Sequence, residues 1–340
     1  MIRHQAPFDA VLLIAFGGPQ CRADIRPFLQ NVLRRRRVPP ARFEAVVAHY
    51  ERFDGVSPLT AITERQATGL RNRLAAGGAI LPVYVGMRNW HPFLEDTLAM
   101  MASAGIRRAL GFILAAHHSY SSCAQYRQNV ADARETLRRD GGPDVEVFYT
   151  TGWHDHRSFV AANARHVEAA RQQLPTAVRG AARVVFTAHS IPVRMAAESQ
   201  YEDEIRESAR LVAEAASAPD WSVAFQSRSG RPQDPWLGPD IGEYLRAEHA
   251  GGLRSAVICP LGFVADHIEV LYDLDIEAAT LCAEIGLPMT RAAAVNDSPA
   301  FLDMMADVVQ RAVQRAAHGR PLPIVPGTPP AVVEGPPPAR

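Results

Sequence analysis

Short apolar runs recur along the chain, each followed by turn residues and then by a helical spacing of apolar positions. The runs cover residues 10–16, 80–85, 109–115, 145–149, 183–187, 222–226, 255–260 and 289–294. Most are continuous rather than alternating, and several are rich in β-branched residues, which fits strands buried on both faces. Helical periodicity fills residues 61–75, 93–104, 122–139, 158–173, 202–216, 264–285 and 299–317. Alternating strand and helix predicts an α/β protein with parallel sheets. Eight such units can close a barrel. They can equally form two four-stranded open sheets with a break near Thr150, and the pattern alone does not choose.

A chain of 340 residues is expected to hold two domains, set here at 1–150 and 151–318. Residues 319–340 contain eight prolines in 22 positions, so a disordered tail is expected there. Apolar residues at 47% and charged residues at 21% are an ordinary soluble balance. Basic and acidic residues cancel, 36 against 36, which leaves no nucleic-acid footprint and no polybasic membrane signal. Every basic residue is Arg. Without Lys there is no Schiff-base chemistry, no pyridoxal site and no P-loop amine. Cys21, Cys123, Cys259 and Cys282 are scattered, so a zinc ribbon, a thioredoxin motif or a local iron–sulfur run is unsupported. Sparse cysteine points to a reducing cytosol. The first apolar run is too short for a signal peptide or a membrane span, so a cytoplasmic, unprocessed chain is expected.

Three segments carry candidate chemistry. Residues 184–192 read V-V-F-T-A-H-S-I-P, a buried strand delivering His189 to the carboxyl end of a sheet, where open α/β folds keep their crevice. Neutral imidazole there can act as base or metal ligand; the plainer alternative is a hydrogen-bonded structural His. Residues 260–277 run from a strand end through Gly262 into a helix opening at Asp266-His267. Glu269, Asp273 and Glu277 then share one helix face, a repulsive spacing that a divalent cation with oxygen ligands would justify. A solvated acidic face near a helix N-terminus is the alternative. Residues 225–239 form a Gly- and Pro-rich loop suited to wall a flat ligand, or merely to connect. Weaker candidates are the arginine run 34–37, for carboxylates, and His117-His118 and His154-Asp155-His156, for metal.

Taken together these segments resemble the ferrochelatase family. The resemblance rests on residues 14–19 (I-A-F-G-G-P), 50–59, 86–93, 119–126, 186–192 (F-T-A-H-S-I-P), 226–240 ending W-L-G-P-D, and 262–277. It implies two similar α/β domains, each a four-stranded parallel sheet flanked by helices, with a porphyrin cleft between them. It also implies the reaction, insertion of Fe²⁺ into a porphyrin with loss of two protons. Iron is then a substrate, and no cofactor is required. By this resemblance His189 is the active-site His and Glu269 its partner carboxylate. Asp273 and Glu277 continue an acidic row on a helix wound wider than α. Phe16, Arg34, Tyr50, Ser57, Tyr126 and Trp236 match porphyrin-binding positions. Phe16 departs from members that place a Tyr there as a ligand to product iron. His49 stands where those members carry an Arg, and Asn89 where some carry His.

Only twelve residues separate Arg37 from Tyr50, too few for the apolar lid of membrane-associated members. An open, Arg-edged cleft suits coproporphyrin III, with four propionates, and a soluble monomer. Protoporphyrin IX, another metal with another tetrapyrrole, and a non-catalytic porphyrin or haem carrier are the competing readings. The tail has no Cys, so no iron–sulfur cluster is expected.

Overall fold

The computed structural model describes residues 7–34, 38–119, 123–229, 233–320 and 322. Eight strands form: β1 (Ala10–Ala15), β2 (Val83–Met87), β3 (Arg108–Ile113), β4 (Glu146–Tyr149), β5 (Arg183–His189), β6 (Trp221–Gln226), β7 (Ala256–Cys259) and β8 (Met289–Arg291). They make two four-stranded sheets, ordered β2-β1-β3-β4 and β6-β5-β7-β8, with parallel pairing between neighbours. The second order repeats the first, so the halves share one topology and the barrel alternative falls.

The first half carries α1 (Ile25–Leu33), α2 (Pro40–Glu51), α3 (Leu59–Ala76), α4 (Leu94–Ser103) and α5 (Gln125–Arg139). The second carries α6 (Arg157–Arg171), α7 (Thr176–Arg179), α8 (Val193–Ala197), α9 (Tyr201–Ala215), α10 (Ile241–Ala250), α11 (Ile268–Val270), α12 (Ala279–Ile285) and α13 (Pro299–Ala317). Strand β1 is buried at all six positions because helices cover both faces. Its side chains alternate between two cores. Val11 and Leu13 meet Leu70 and Leu74 of α3, while Leu12 and Ile14 meet Leu94 and Leu98 of α4.

The largest core is continuous across both sheets, joining Leu13 and Phe112 to Phe186 and Phe301. Trp153 sits at the joint. It stacks on Phe112 at 5.7 Å and meets Phe159 and Phe301 edge-on at 5.3 and 5.8 Å. Helix α13 packs on both α3 and α6. Arg65 reaches Asp297 at 2.9 Å and Arg73 reaches Asp303 at 2.5 Å. Those pairs are partly exposed and worth under about 1 kcal/mol each. The joint is therefore held mainly by its buried apolar surface.

Several boundaries differ from the expectation. The second strand starts at Val83, since Pro82 has no N–H for the ladder, and Ile80 is 91% exposed. The last strand stops at Arg291, whose guanidinium turns to Asp266 and Asp275 at 2.8 and 2.5 Å. Helices α1, α2 and α10 lie outside the expected elements; α2 and α10 bury little, whereas α1 buries Ile25, Phe28 and Leu29. Val47 alone is fully buried in α2, and only Ile241 and Leu245 in α10. The helical run expected over 264–285 begins at Ile268 and changes winding within it. The expected disordered tail lies outside the described residues apart from 319, 320 and 322, as do Arg35, Arg36 and Arg37. Among the described residues no helix is long and apolar enough to cross a membrane.

Candidate functional site

In each sheet the strand order switches between the two central strands, β1 with β3 and β5 with β7. Crevices open beyond the carboxyl ends of strands at such switch points. His189 is the last residue of β5, and the chain leaving β7 returns at once towards it. Gly262 makes that return possible. Its N–H donates to the Thr187 carbonyl at 2.9 Å, and a Cβ there would lie 2.5 Å from the Ala188 Cβ. The result sets His189 Nε2 3.9 Å from Glu269 Oε2, with the two side chains 31% and 45% exposed and so open to a ligand.

The His189 tautomer follows from its neighbours. Nδ1 lies 2.5 Å from the Ser190 carbonyl oxygen, which only accepts, so Nδ1 carries the proton. The lone pair is then on Nε2, facing Glu269. Tyr201 of α9 donates its hydroxyl to the His189 carbonyl at 2.9 Å. The Ser190 hydroxyl donates to Leu237 at 2.7 Å, and the Leu237 N–H to Ile191 at 2.9 Å. These bonds tie the loop after β6 to the His189 strand.

Glu269 lies in the first turn of α11, where His267 Nδ1 accepts its N–H at 3.2 Å. The helix continues as a π-helical stretch, Leu271–Ala278. In an α-helix, residues four apart drift by about 40° around the axis. The wider turn lessens that drift and brings Glu269, Asp273 and Glu277 towards one line. Gln226 donates to Asp273 at 3.2 Å, and the Ser227 hydroxyl makes a short hydrogen bond to the same oxygen. Burial pushes the Asp273 carboxyl up to about 7, and the charges of Glu269 and Glu277 add to it against those two hydrogen bonds. Glu277 is raised by burial and then by Asp240, with Arg42 of α2 opposing.

The first half supplies an aromatic group. Phe28 meets Phe16 at 6.3 Å, Tyr50 at 5.7 Å and Trp90 at 6.4 Å. The hydroxyls of Tyr50, Tyr126 and Tyr201 are all pushed upward by burial, and the Glu269 charge adds to each shift. Both Tyr50 and Tyr126, from the first half, are thus within electrostatic reach of Glu269 in the second. Ser57 is buried against Gly18, where a Cβ would come within 2.6 Å of the serine Cβ. Trp236 is half-buried, and its backbone bridges to Pro192. Arg34 caps α1 with its guanidinium exposed, its Nε donating to Asn31 at 3.2 Å. Asn89 is buried and donates to the Phe16 carbonyl at 3.2 Å.

Tyr201 lies outside every segment that the sequence singles out, and its contact to His189 has no local signal. Gln226, Ser227 and Tyr272 lie within the 225–239 and 260–277 segments, but their contacts, to Asp273 for the first two and to His49 for the third, join residues too distant in the chain for spacing to show. The fold brings together one histidine from each of the two weak metal candidates. His118 and His154 converge with Glu204 of α9, while His156 pairs with Asp307 at 2.8 Å.

This fold is that of chelatases. A SirB structure from Bacillus subtilis with Fe³⁺ superposes with a TM-score of 0.58 at 11% identity, covering 92% of this chain and 99% of that one. The Ferrochelatase family profile matches residues 8–313. The coproporphyrin III ferrochelatase of Mycolicibacterium smegmatis is 43% identical over 335 residues, 97% of this chain and 94% of that protein. The ferrochelatase of Rhodopirellula baltica is 45% identical over 305 residues, covering 89% and 86%. The chain belongs to the ferrochelatase family.

Proposed function

We propose that this protein is a lyase of haem biosynthesis that inserts Fe²⁺ into coproporphyrin III and releases two protons. The observation that carries the reading is the His189 Nε2 lone pair facing Glu269 at 3.9 Å, with Asp273 and Glu277 continuing behind it. The reaction must remove two pyrrole protons and strip water from Fe²⁺. His189 Nε2 accepts a proton or ligates iron at the ring. Carboxylate oxygens of Glu269, Asp273 and Glu277 replace water on the incoming cation. Asp273, titrating near 7, takes up and passes on protons at neutral pH. Phe16, Tyr50, Ser57, Tyr126 and Trp236 line the ring, and Arg34 meets a propionate. Contacts at the ring periphery supply binding energy that can bend the macrocycle towards the metal.

Two observations support a porphyrin with four propionates. Relatives at about the same identity are named coproporphyrin III ferrochelatases. The helix that carries Tyr50, α2, is short and mostly exposed, with Arg42 and Arg52 beside the carboxylate row. We further read the protein as a soluble cytoplasmic monomer. The test is anaerobic Fe²⁺ insertion with coproporphyrin III and protoporphyrin IX assayed side by side. A higher kcat/KM for coproporphyrin III supports the proposal. Preference for protoporphyrin IX overturns the substrate, and tight porphyrin binding without turnover of either overturns the reaction.

A further inference from the structure

A second group of metal-ligating side chains lies outside the cleft pair. His118 follows β3, His154 follows β4, and Glu204 projects from α9, so both halves contribute. One ligand atom from each lies within 4.8 Å of the others. His118 Nδ1 is 2.7 Å from Glu204 Oε1, and His154 Nδ1 is 3.7 Å from that same oxygen. Tetrahedral coordination with bonds of about 2.0–2.1 Å separates donor atoms by about 3.3–3.4 Å. The two separations straddle that value, and all three donor atoms lie within 4.8 Å of one another, so side-chain rotation can bring them round a common ion.

The state of His154 is informative. Its Nε2 lies 3.0 Å from the Glu207 carboxylate and donates its proton there. Nδ1 is left as the lone-pair nitrogen. That atom is buried and has no hydrogen-bond partner among the described residues. A ring held by a carboxylate on one nitrogen, with the other bare, is the arrangement that outer carboxylates impose on metal-bound histidines. Glu204 adds a charge argument. It is 6% exposed, and its described partners are the His118 N–H at 2.6 Å and the two imidazoles. A buried carboxylate without a guanidinium partner calls for a cation. His117 stands beside the group, its ring 6.4 Å from that of His154 and its pKa pushed down to about 3 by burial and the two neighbouring imidazoles.

We propose that His118, His154 and Glu204 form a resident site for a divalent transition metal of the zinc class, distinct from the substrate-iron pair His189 and Glu269. Two imidazoles and one carboxylate suit Zn²⁺. A metal on His118 Nδ1 takes the place of the proton now directed at Glu204, and the bound ring carries its hydrogen on Nε2. Glu204 lies one turn of α9 from Tyr201, whose hydroxyl holds the His189 carbonyl at 2.9 Å. An occupied site therefore braces α9 against the first half beneath the active-site strand.

The test uses full-length protein carrying His189→Ala and Glu269→Gln, which removes the cleft pair. Co²⁺ is titrated and followed by its visible ligand-field absorption, and thermal unfolding is recorded with and without Zn²⁺. The expected result is one Co²⁺ per chain, displaced by Zn²⁺, and a higher Tm with Zn²⁺ present. Adding His154→Ala or the isosteric Glu204→Gln weakens binding at least tenfold and abolishes the Zn²⁺-dependent rise. Should His154→Ala fail to fold, Glu204→Gln decides. Absence of Co²⁺ binding at micromolar metal, or binding that survives the added substitutions, overturns the proposal and leaves a buried His–Glu ion pair.

Discussion

His49 and Tyr272 stack face to face, their ring centroids 3.6 Å apart and their planes within 12°. They come from opposite halves of the molecule, His49 from α2 and Tyr272 from the π-helical stretch between Glu269 and Glu277. The Arg52 guanidinium lies 5.9 Å from the Tyr272 ring. Burial, then Arg42 and Arg52, hold His49 below the ordinary imidazole range, so the stack is of neutral rings at pH 7. The pair fastens the carboxylate row to the first half. In a double-mutant cycle of His49→Ala with Tyr272→Ala, the unfolding free energies are expected to couple by about 0.5–1.5 kcal/mol. Additive losses would show that the rings do not hold each other.

Removal of either member of the cleft pair should act on turnover rather than on binding. His189→Ala and Glu269→Gln are each expected to lower kcat by about 10²–10⁴, the range for a positioned proton acceptor. Porphyrin affinity, followed by fluorescence quenching, should move little. The double variant should lose far less than the product of the single effects, because the two act as a unit.

Asp273 makes stability depend on pH in a stated direction. Its folded pKa is raised from 3.8 to about 7, so the native state holds a proton that the unfolded state has already released between those values. The stability tied to that proton is fully present below about pH 4 and is lost as pH rises through about 7. Asp273→Asn removes this loss. Denaturant unfolding of metal-free protein should show the variant gaining on the wild type between pH 5 and pH 8. A constant difference across that interval would contradict the burial of a protonated carboxyl.

Gly262 is placed by contact, not by an unusual backbone angle. A Cβ would meet the Ala188 Cα at 2.7 Å as well as its Cβ at 2.5 Å. Gly262→Ala should therefore push β5 and the return loop apart, at a cost of about 1–3 kcal/mol. Metal insertion should fall with it, since Ala188 adjoins His189. Wild-type stability in this variant would mean that the loop yields freely.

How much of this was legible depends on the range of the interactions. The strands showed through because burial on both faces makes them continuous apolar runs, as at Val184, Val185 and Phe186. His189 and the carboxylates were visible because a strand end and a helix-face spacing are local facts. The π winding is not a local fact of composition, and it was expected only through the family resemblance. Tyr201 on His189, Ser227 on Asp273 and Glu204 on His118 are contacts between residues 12, 46 and 86 positions apart. No spacing rule reaches that far. Arg34, which its neighbours in sequence suggest as an anion clamp, ends α1 with its guanidinium exposed and so accessible to an anion.

If His189 and Glu269 together carry Fe²⁺ into the porphyrin, Glu269→Gln should slow metal insertion itself. Single-turnover metallation follows it most directly, with porphyrin prebound to wild type and to Glu269→Gln and Fe²⁺ added without oxygen. Rapid conversion is expected of the wild type and a rate at least a hundredfold lower of the variant, with equal porphyrin occupancy. Equal rates in the two proteins would contradict that role.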